Sequence, residues 1–314
     1  MKGIQKNVSH LANIIINYTP VLFLNFRKHF ELYRVLKFYS ANGLIKFRTY
    51  RIYLFTYISK KLSIKEKLFI LTHHYSFLKQ SFRKKYLKKI FSGGVICWEE
   101  YNGVDSFKIL LRARHYLEFE GSLTLSFMVN DTRVFNLNFN FAPGDIFGFE
   151  KENTILFISG LKGVENEFSK ITLVSKAFFD LSPRIILMKV LENVGATLGV
   201  DTIVAVNVSN QVSYNNKEVA GRFYVNYDQF WEKLNGRKMK EGYYSFKCPI
   251  PEKPIHLVRH KYKKRALNRR SRLNEIAAKT VSILSGYTNE LSTSERIQLR
   301  SLKMAEGNKI LPAG

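Results

Sequence analysis

Hydrophobic positions fall into two short runs that bracket the middle of the chain, residues 154–160 (Thr-Ile-Leu-Phe-Ile-Ser-Gly) and 202–208 (Thr-Ile-Val-Ala-Val-Asn-Val). Between them the spacing changes to that of helices. Residues 165–179 place Phe168, Ile171, Thr172, Ser175 and Phe179 on one stripe. The next helix opens at Leu181-Ser182-Pro183-Arg184, with Ile186, Leu187, Val190, Leu191, Val194 and Leu198 on its apolar face. Ser182 suits its N-cap, Pro183 its first turn and Gly199 its stop. Strand, helix, strand predicts two parallel neighbours in a sheet.

Period-2 alternation precedes this unit. Residues 107–114, 122–129 and 133–141 alternate, the last as Phe135, Leu137, Phe139 and Phe141 against Asn136, Asn138 and Asn140. Asn130-Asp131 and Pro143-Gly144-Asp145 supply turns. Two or three antiparallel strands should therefore lead into the central one. Downstream, 207–216 reads as a loop, 227–234 as a short helix closed by Asn235-Gly236, and 243–247 as a strand ahead of Pro249 and Pro251. The fold class expected is α/β (α+β), with a mixed sheet whose antiparallel strands feed a strand–helix–strand parallel core. The expected divisions are a helical, basic N-terminal region (1–92), the mixed core (93–252), a basic C-terminal helix (253–286) and a polar tail (287–314).

Charge narrows the partners. Fifty Lys and Arg face 25 Asp and Glu in 314 residues, a formal net charge of +25, and aromatic residues make up 14%. Nucleic acid, an anionic membrane leaflet and polyanionic substrates are the candidates such an excess points to. Lysine-rich drift in an AT-rich genome is the bland alternative. In 1–92 basic residues interleave with aromatics such as Tyr50, Tyr53, Phe77 and Tyr86, a pattern that suits a headgroup interface, stacking on RNA, or a solvated helix face. The helix from His256 onward concentrates Lys263, Lys264, Arg265, Arg269, Arg270 and Arg272, with no acid until Glu275. These six are the candidates for binding an anionic partner. Cys97 and Cys248 stand alone, without metal-ligand spacing or a disulfide framework. The apolar run from Leu11 is broken by Asn13, Asn17 and Pro20, reads as a docking helix rather than a secretion signal, and leaves a cytoplasmic chain with membrane contact only at the surface as the expectation.

Candidate chemistry is sparse. The helix start at Ser182-Pro183-Arg184, with Lys176 upstream and Lys162 at the end of the first apolar run, could hold phosphate through free N–H groups and a guanidinium fork. An ordinary capped helix with a solvated Arg fits the same residues. His73 and His74 point to different helix faces, which predicts one at the surface and one packed. Asp228 and Glu232, four apart, could act as acid and base or simply face solvent. His115 has no nucleophile motif nearby, and neither a Walker motif nor G-x-G-x-x-G, G-x-S-x-G or H-E-x-x-H occurs.

An ordered set of segments resembles the VirK/YbjX family of Gram-negative bacteria. They are Ile158-Ser159-Gly160-Leu161-Lys162-Gly163, Ser175-Lys176, Leu181-Ser182-Pro183-Arg184, Val204-Ala205-Val206, the stretch Tyr227-Asp228-Gln229-Phe230-Trp231-Glu232-Lys233-Leu234-Asn235-Gly236, and the basic helix from Lys263 to Arg272. His73-His74-Tyr75 belongs with them. Lys162 stands where the family usually has Gln, and Ser182 where Phe or Arg commonly precedes the proline. The resemblance implies a virulence-associated accessory role in envelope integrity and in production or surface display of outer-membrane proteins, with protein partners in envelope biogenesis. It implies no known reaction. The order of elements also looks like the N-acetyltransferase (GNAT) layout, in which a helix N-terminus holds the pyrophosphate of coenzyme A; this makes a CoA thioester the candidate cofactor. A post-transcriptional RNA-binding regulator is the third reading.

Overall fold

The computed structural model describes residues 25–113, 119–214 and 227–289. The apolar run from Leu11 up to residue 24, Arg114 and His115, the end of the loop after residue 214, and the tail from residue 290 lie outside the described residues.

An eight-stranded mixed sheet, in the order β1-β2-β3-β4-β5-β6-β8-β7, organises the chain. Its strands are β1 (Val95–Tyr101), β2 (Ser106–Ala113), β3 (Leu123–Val129), β4 (Thr132–Pro143), β5 (Thr154–Gly163), β6 (Thr202–Val206), β7 (Arg237–Lys238) and β8 (Tyr243–Lys247). Every neighbouring pair is antiparallel except β5 and β6, which are parallel. The helices are α1 (Phe26–Ala41), α2 (Ile64–Ser81), α3 (Lys84–Ser92), α4 (Phe168–Ala177), α5 (Pro183–Thr197), α6 (Tyr227–Lys233) and α7 (His260–Ser285). The mixed sheet, the parallel core unit and the flanking N- and C-terminal helices are as expected.

Local sequence explains most of these elements. Asn130 and Asp131 both adopt positive φ, 49° and 60°, and close the β3–β4 hairpin. Ser63 and Glu66 form a reciprocal capping box that starts α2. Gly199, at φ 71°, ends α5. Strand β5 is buried on both faces from Ile155 to Leu161, which is why it reads as an apolar run rather than an alternation. The buried residues form one cluster that extends from Leu32 in α1 to Leu284 in α7.

Two expectations need correction. Four antiparallel strands precede β5, not two or three. Strand β1 escapes the period-2 search because an irregularity between Ile96 and Trp98 puts both Cys97 and Trp98 inside. Helix α4 is shorter than 165–179 and buries a different stripe. Val174 and Phe178 face the core, while Phe168 is 62% and Phe179 44% exposed. Phe178 meets Trp98, Phe107 and Phe127 edge-on, and Phe179 turns outward at φ 54°.

The sheet has two unlike faces. Phe135, Leu137, Phe139 and Phe141 of β4 share one, and Leu156 and Leu161 of β5 stand beside Phe141 and Leu137 on it. Leu156 lies under Gly195 of α5, so α5 covers this apolar face. Asn136, Asn138 and Asn140 share the other face. Three cross-strand pairs line it: Ser126 donates to Asn136 at 2.7 Å, Thr124 to Asn138 at 2.9 Å, and Asn140 Nδ2 to Ser122 at 3.1 Å. The segment before α2 closes over this polar face. Tyr57 Oη meets Ser122 Oγ at 2.5 Å and accepts from Asn140 at 2.9 Å. Beside it, Ile58 is fully buried at φ 54°, a conformation that costs a β-branched residue of order 1–3 kcal/mol. Its N–H donates to Phe119 O at 2.8 Å, which fixes the approach to Glu120.

Candidate functional site

Strands β5 and β6 stay paired for only three positions, Leu156↔Ile203, Phe157↔Val204 and Ile158↔Ala205. At Ser159 the register of β5 against β4 slips by one residue, and from there to Gly163 β5 stays paired with β4 but no longer with β6. The strands part into a fork, and backbone groups in such a gap need other partners. Helix α6 supplies them to both arms. Leu161 N donates to Tyr227 Oη at 2.9 Å, and Trp231 Nε1 donates to Val206 O at 2.9 Å. Val208 N donates to Asp228 Oδ1 at 3.2 Å. The Tyr-Asp-x-x-Trp spacing thus puts three side chains of one short helix onto the fork. Asp228 and Glu232 do not act on one target: Glu232 accepts from Tyr244 Oη at 3.3 Å.

A carboxylate sits beside the fork on the polar face. Glu120 is 6% exposed. Its Oε1 accepts from Lys162 Nζ at 2.8 Å and from Ser213 Oγ, and its Oε2 accepts from Asn138 Nδ2 at 3.1 Å. Gly160 makes room for this, since a Cβ there would lie 2.9 Å from Asn138 Nδ2 and 3.3 Å from Glu120 Oε2. Tyr227 also accepts from Gln211 Nε2 at 3.0 Å. Gln211 is fully buried and its Oε1 has no hydrogen-bond partner among the described residues. Burial pushes the Tyr227 hydroxyl well above its usual range; the Leu161 N–H opposes this and the Glu120 charge adds to it. Tyr227 therefore stays protonated.

The helix start at Ser182 lies across the apolar face. Ser182 takes the N-cap position without a side-chain cap bond, and Pro183 occupies the first turn. The Arg184 guanidinium is half-buried over the Phe230 ring at 4.8 Å, which ties the start of α5 to α6. Burial lowers the Arg184 pKa. Lys176 is exposed at the end of α4. Lys162 does not join this group: it pairs in register with Asn136, on the opposite face of the sheet. Its place is with Glu120.

His73 and His74 depart from the expected division between surface and core. His74 is fully buried and accepts at Nδ1 from Phe141 N at 3.0 Å. His73 is half-buried and meets Thr154 Oγ1 at 3.0 Å. Pro143 and Thr154 are neighbours in the sheet, so the two imidazoles clasp α2 to the end of β4 and the start of β5. Burial and then the neighbouring His73 push His74 down to about 3; burial and then Lys28, opposed by Asp145 and Glu31, push His73 down to about 4.

The cations of α7 largely find partners within the chain. Arg265 pairs with Asp180, and Arg269 donates to Phe179 O at 2.7 Å and Asp180 O at 3.0 Å. Arg270 meets Glu252 at 2.8 Å. Arg272 pairs with Glu100 and with Glu275 at 2.9 Å, and stacks over Phe178 at 4.8 Å and Trp98 at 5.6 Å. Lys263 is half-buried and Lys264 exposed. Sequence reasoning missed Glu120, Asn138, Gln211 and Ser213. The one local signal was the triple asparagine alternation in an inner strand, where both faces must be covered.

Among the described residues no helix is long and apolar enough to cross a membrane. The arrangement defines a mixed α/β protein with a forked parallel strand pair, plugged by one helix and flanked by a buried carboxylate. Residues 28–281 match the model of a family described as protein of unknown function (DUF535), and the chain belongs to that family. No curated protein and no solved structure matches the chain.

Proposed function

We propose that the protein is an acyltransferase that uses a CoA thioester and modifies a component of the cell envelope. The observation that carries this reading is the fork between β5 and β6, with Tyr227, Leu161 N–H and Glu120 gathered at its mouth. The strand–helix–strand core that follows antiparallel strands and precedes the Tyr227 helix is what makes the order of elements resemble the GNAT layout. The donor set suits the cofactor. The first turn of α5, which Ser182 leaves without a side-chain cap bond, and Arg184 offer N–H groups and a guanidinium for phosphate oxygens. The buried, unpartnered Gln211 Oε1 offers an acceptor at the fork.

A bound CoA thioester supplies an activated acyl group. The chain's own residues then have distinct tasks. Glu120, its carboxylate held at a fixed place by three donors, would take the proton that an attacking amine or hydroxyl loses as its bond to the acyl carbon forms and the acyl–sulfur bond breaks, the sulfur leaving as the free CoA thiol. Tyr227, kept protonated by burial, holds a proton next to the parted strands. The Leu161 N–H orients Tyr227. The envelope role rests on the VirK/YbjX resemblance, to which the DUF535 family corresponds.

The test is release of free CoA thiol from acetyl-CoA and lauroyl-CoA in the presence of a bacterial envelope extract. Glu120→Gln keeps the size of the side chain but turns one acceptor oxygen into a donor facing a donor, so it should lower turnover by about 100-fold and also lower the melting temperature. Equal turnover in the variant would remove Glu120 from the mechanism, and no turnover in the native chain would remove the reading.

A second reading, attachment to an anionic membrane leaflet, is favoured by α1. Phe26, Phe30 and Tyr33 lie on its outer side, 71%, 55% and 52% exposed, among the exposed cations Arg27, Arg34 and Lys37. Flotation with anionic vesicles tests it. Attachment and transfer are compatible, since an envelope acceptor lies at such a surface.

A further inference from the structure

A cleft of about 610 Å³ lies along one flank of α5, between it, the end of α6, the segment 250–253 and α7. Its floor is apolar: Leu181, Ile185, Met188 and Leu273 line it. Its lip is cationic. Lys189, Lys233, Lys253, Arg265, Arg269 and Arg270 stand around it, against Glu192 and Glu252 among the lining residues. Glu192 is taken by Lys189 at 3.3 Å and by the Ile250 N–H at 2.5 Å, and Glu252 by Arg270 at 2.8 Å. Lys233 and Lys253 are exposed and have no ion-pair partner among the described residues. The cleft therefore joins an apolar interior to a mouth with positive charge to spare.

We propose that this cleft binds a single-chain anionic amphiphile, one acyl chain bearing a phosphate headgroup, as a monomer. The volume falls in the range of small-molecule sites. The concave floor takes one chain rather than the plane of a bilayer, and the apolar lining gives free phosphate or a nucleic-acid backbone nothing to bury. The exposed ammonium groups of Lys233 and Lys253 at the mouth match phosphate oxygens, while the arginines stay with their partners in the chain. Burying the chain supplies most of the affinity, and the headgroup fixes its direction.

The inference does not rest on the transfer reading, and the two fail separately, because binding here is measured without CoA and without turnover. Isothermal titration of the full chain with dodecyl phosphate, kept below its micellar concentration, should give saturable binding. Inorganic phosphate and the neutral dodecyl maltoside should each bind at least about tenfold more weakly. The Lys233→Glu/Lys253→Glu double variant changes only exposed positions and should keep its fold while losing about tenfold in affinity. Ile185→Trp, which fills the floor, should lose at least as much; if it does not fold, the lysine pair decides. Absence of saturable binding, unchanged affinity in the lysine variant, or equal affinity for inorganic phosphate would each overturn the proposal. Anionic vesicles that bind the chain while monomeric dodecyl phosphate does not would replace the cleft with a leaflet surface.

Discussion

His74 has no route to water. It accepts a backbone hydrogen bond from Phe141 and lies against the Phe141 and Tyr75 rings. Its pKa in the folded chain, about 3, lies below the ordinary value of about 6.5. The unfolded chain therefore takes up this proton first. Stability from the neutral ring is intact above about pH 6.5 and declines as pH falls toward 3. Between about pH 7 and pH 5 the loss from this one group is about 2 kcal/mol. Urea unfolding at several pH values should show that slope, and His74→Gln, whose amide oxygen can accept from Phe141, should flatten it. An unchanged slope in the variant would place the pH dependence elsewhere. At this scale little of the site was legible. Glu120 lies outside any regular element, and its partners Lys162 and Ser213 are 42 and 93 positions away. No local pattern announces such a cluster. Tyr227, Asp228 and Trp231 were visible as a motif, but not their shared role of plugging the fork.

Among the elements, those with a strong local period were easiest to read. Strands β4, β5, β6 and β8 and helix α5 lie where alternation, apolar runs and caps put them. Strand β1 and the buried stripe of α4 were lost to an irregularity and to two adjacent phenylalanines that only tertiary contact distinguishes. The basic helix α7 teaches a related lesson. Its arginines look like a surface for polyanions, yet Glu100 and Asp180 pair with them from far away in sequence and Glu252 from the segment ahead of the helix, so charge along one helix says little about charge on the fold. Helix α1 keeps two opposed stripes, with Leu32, Leu36 and Tyr39 buried and Phe26, Phe30 and Tyr33 exposed. If the outer stripe seats in a headgroup layer, the protein should float with anionic vesicles at low salt. Phe26→Ser/Phe30→Ser should abolish flotation without changing the melting temperature. Flotation undiminished in that variant would remove α1 from the interface.

The whole molecule is built around one parted strand pair that α6 plugs. Antiparallel strands lead up to β5, the polar face carries Glu120 to its edge, and α5 and α6 meet at its mouth through Arg184 and Phe230. The mixed sheet and its parallel pair were legible because apolar runs and turn residues are local. The parting of that pair was not, because it depends on a register slip and on a helix that arrives after residue 226. We propose that this architecture receives a CoA thioester. Thermal unfolding with and without acetyl-CoA or lauroyl-CoA tests it most directly. At about 100 times its dissociation constant a ligand adds about 2.7 kcal/mol of stability. The account predicts a clear upward shift in Tm for the native chain and a much smaller one for Arg184→Ala. No shift with either thioester, or a shift that survives Arg184→Ala undiminished, would contradict it.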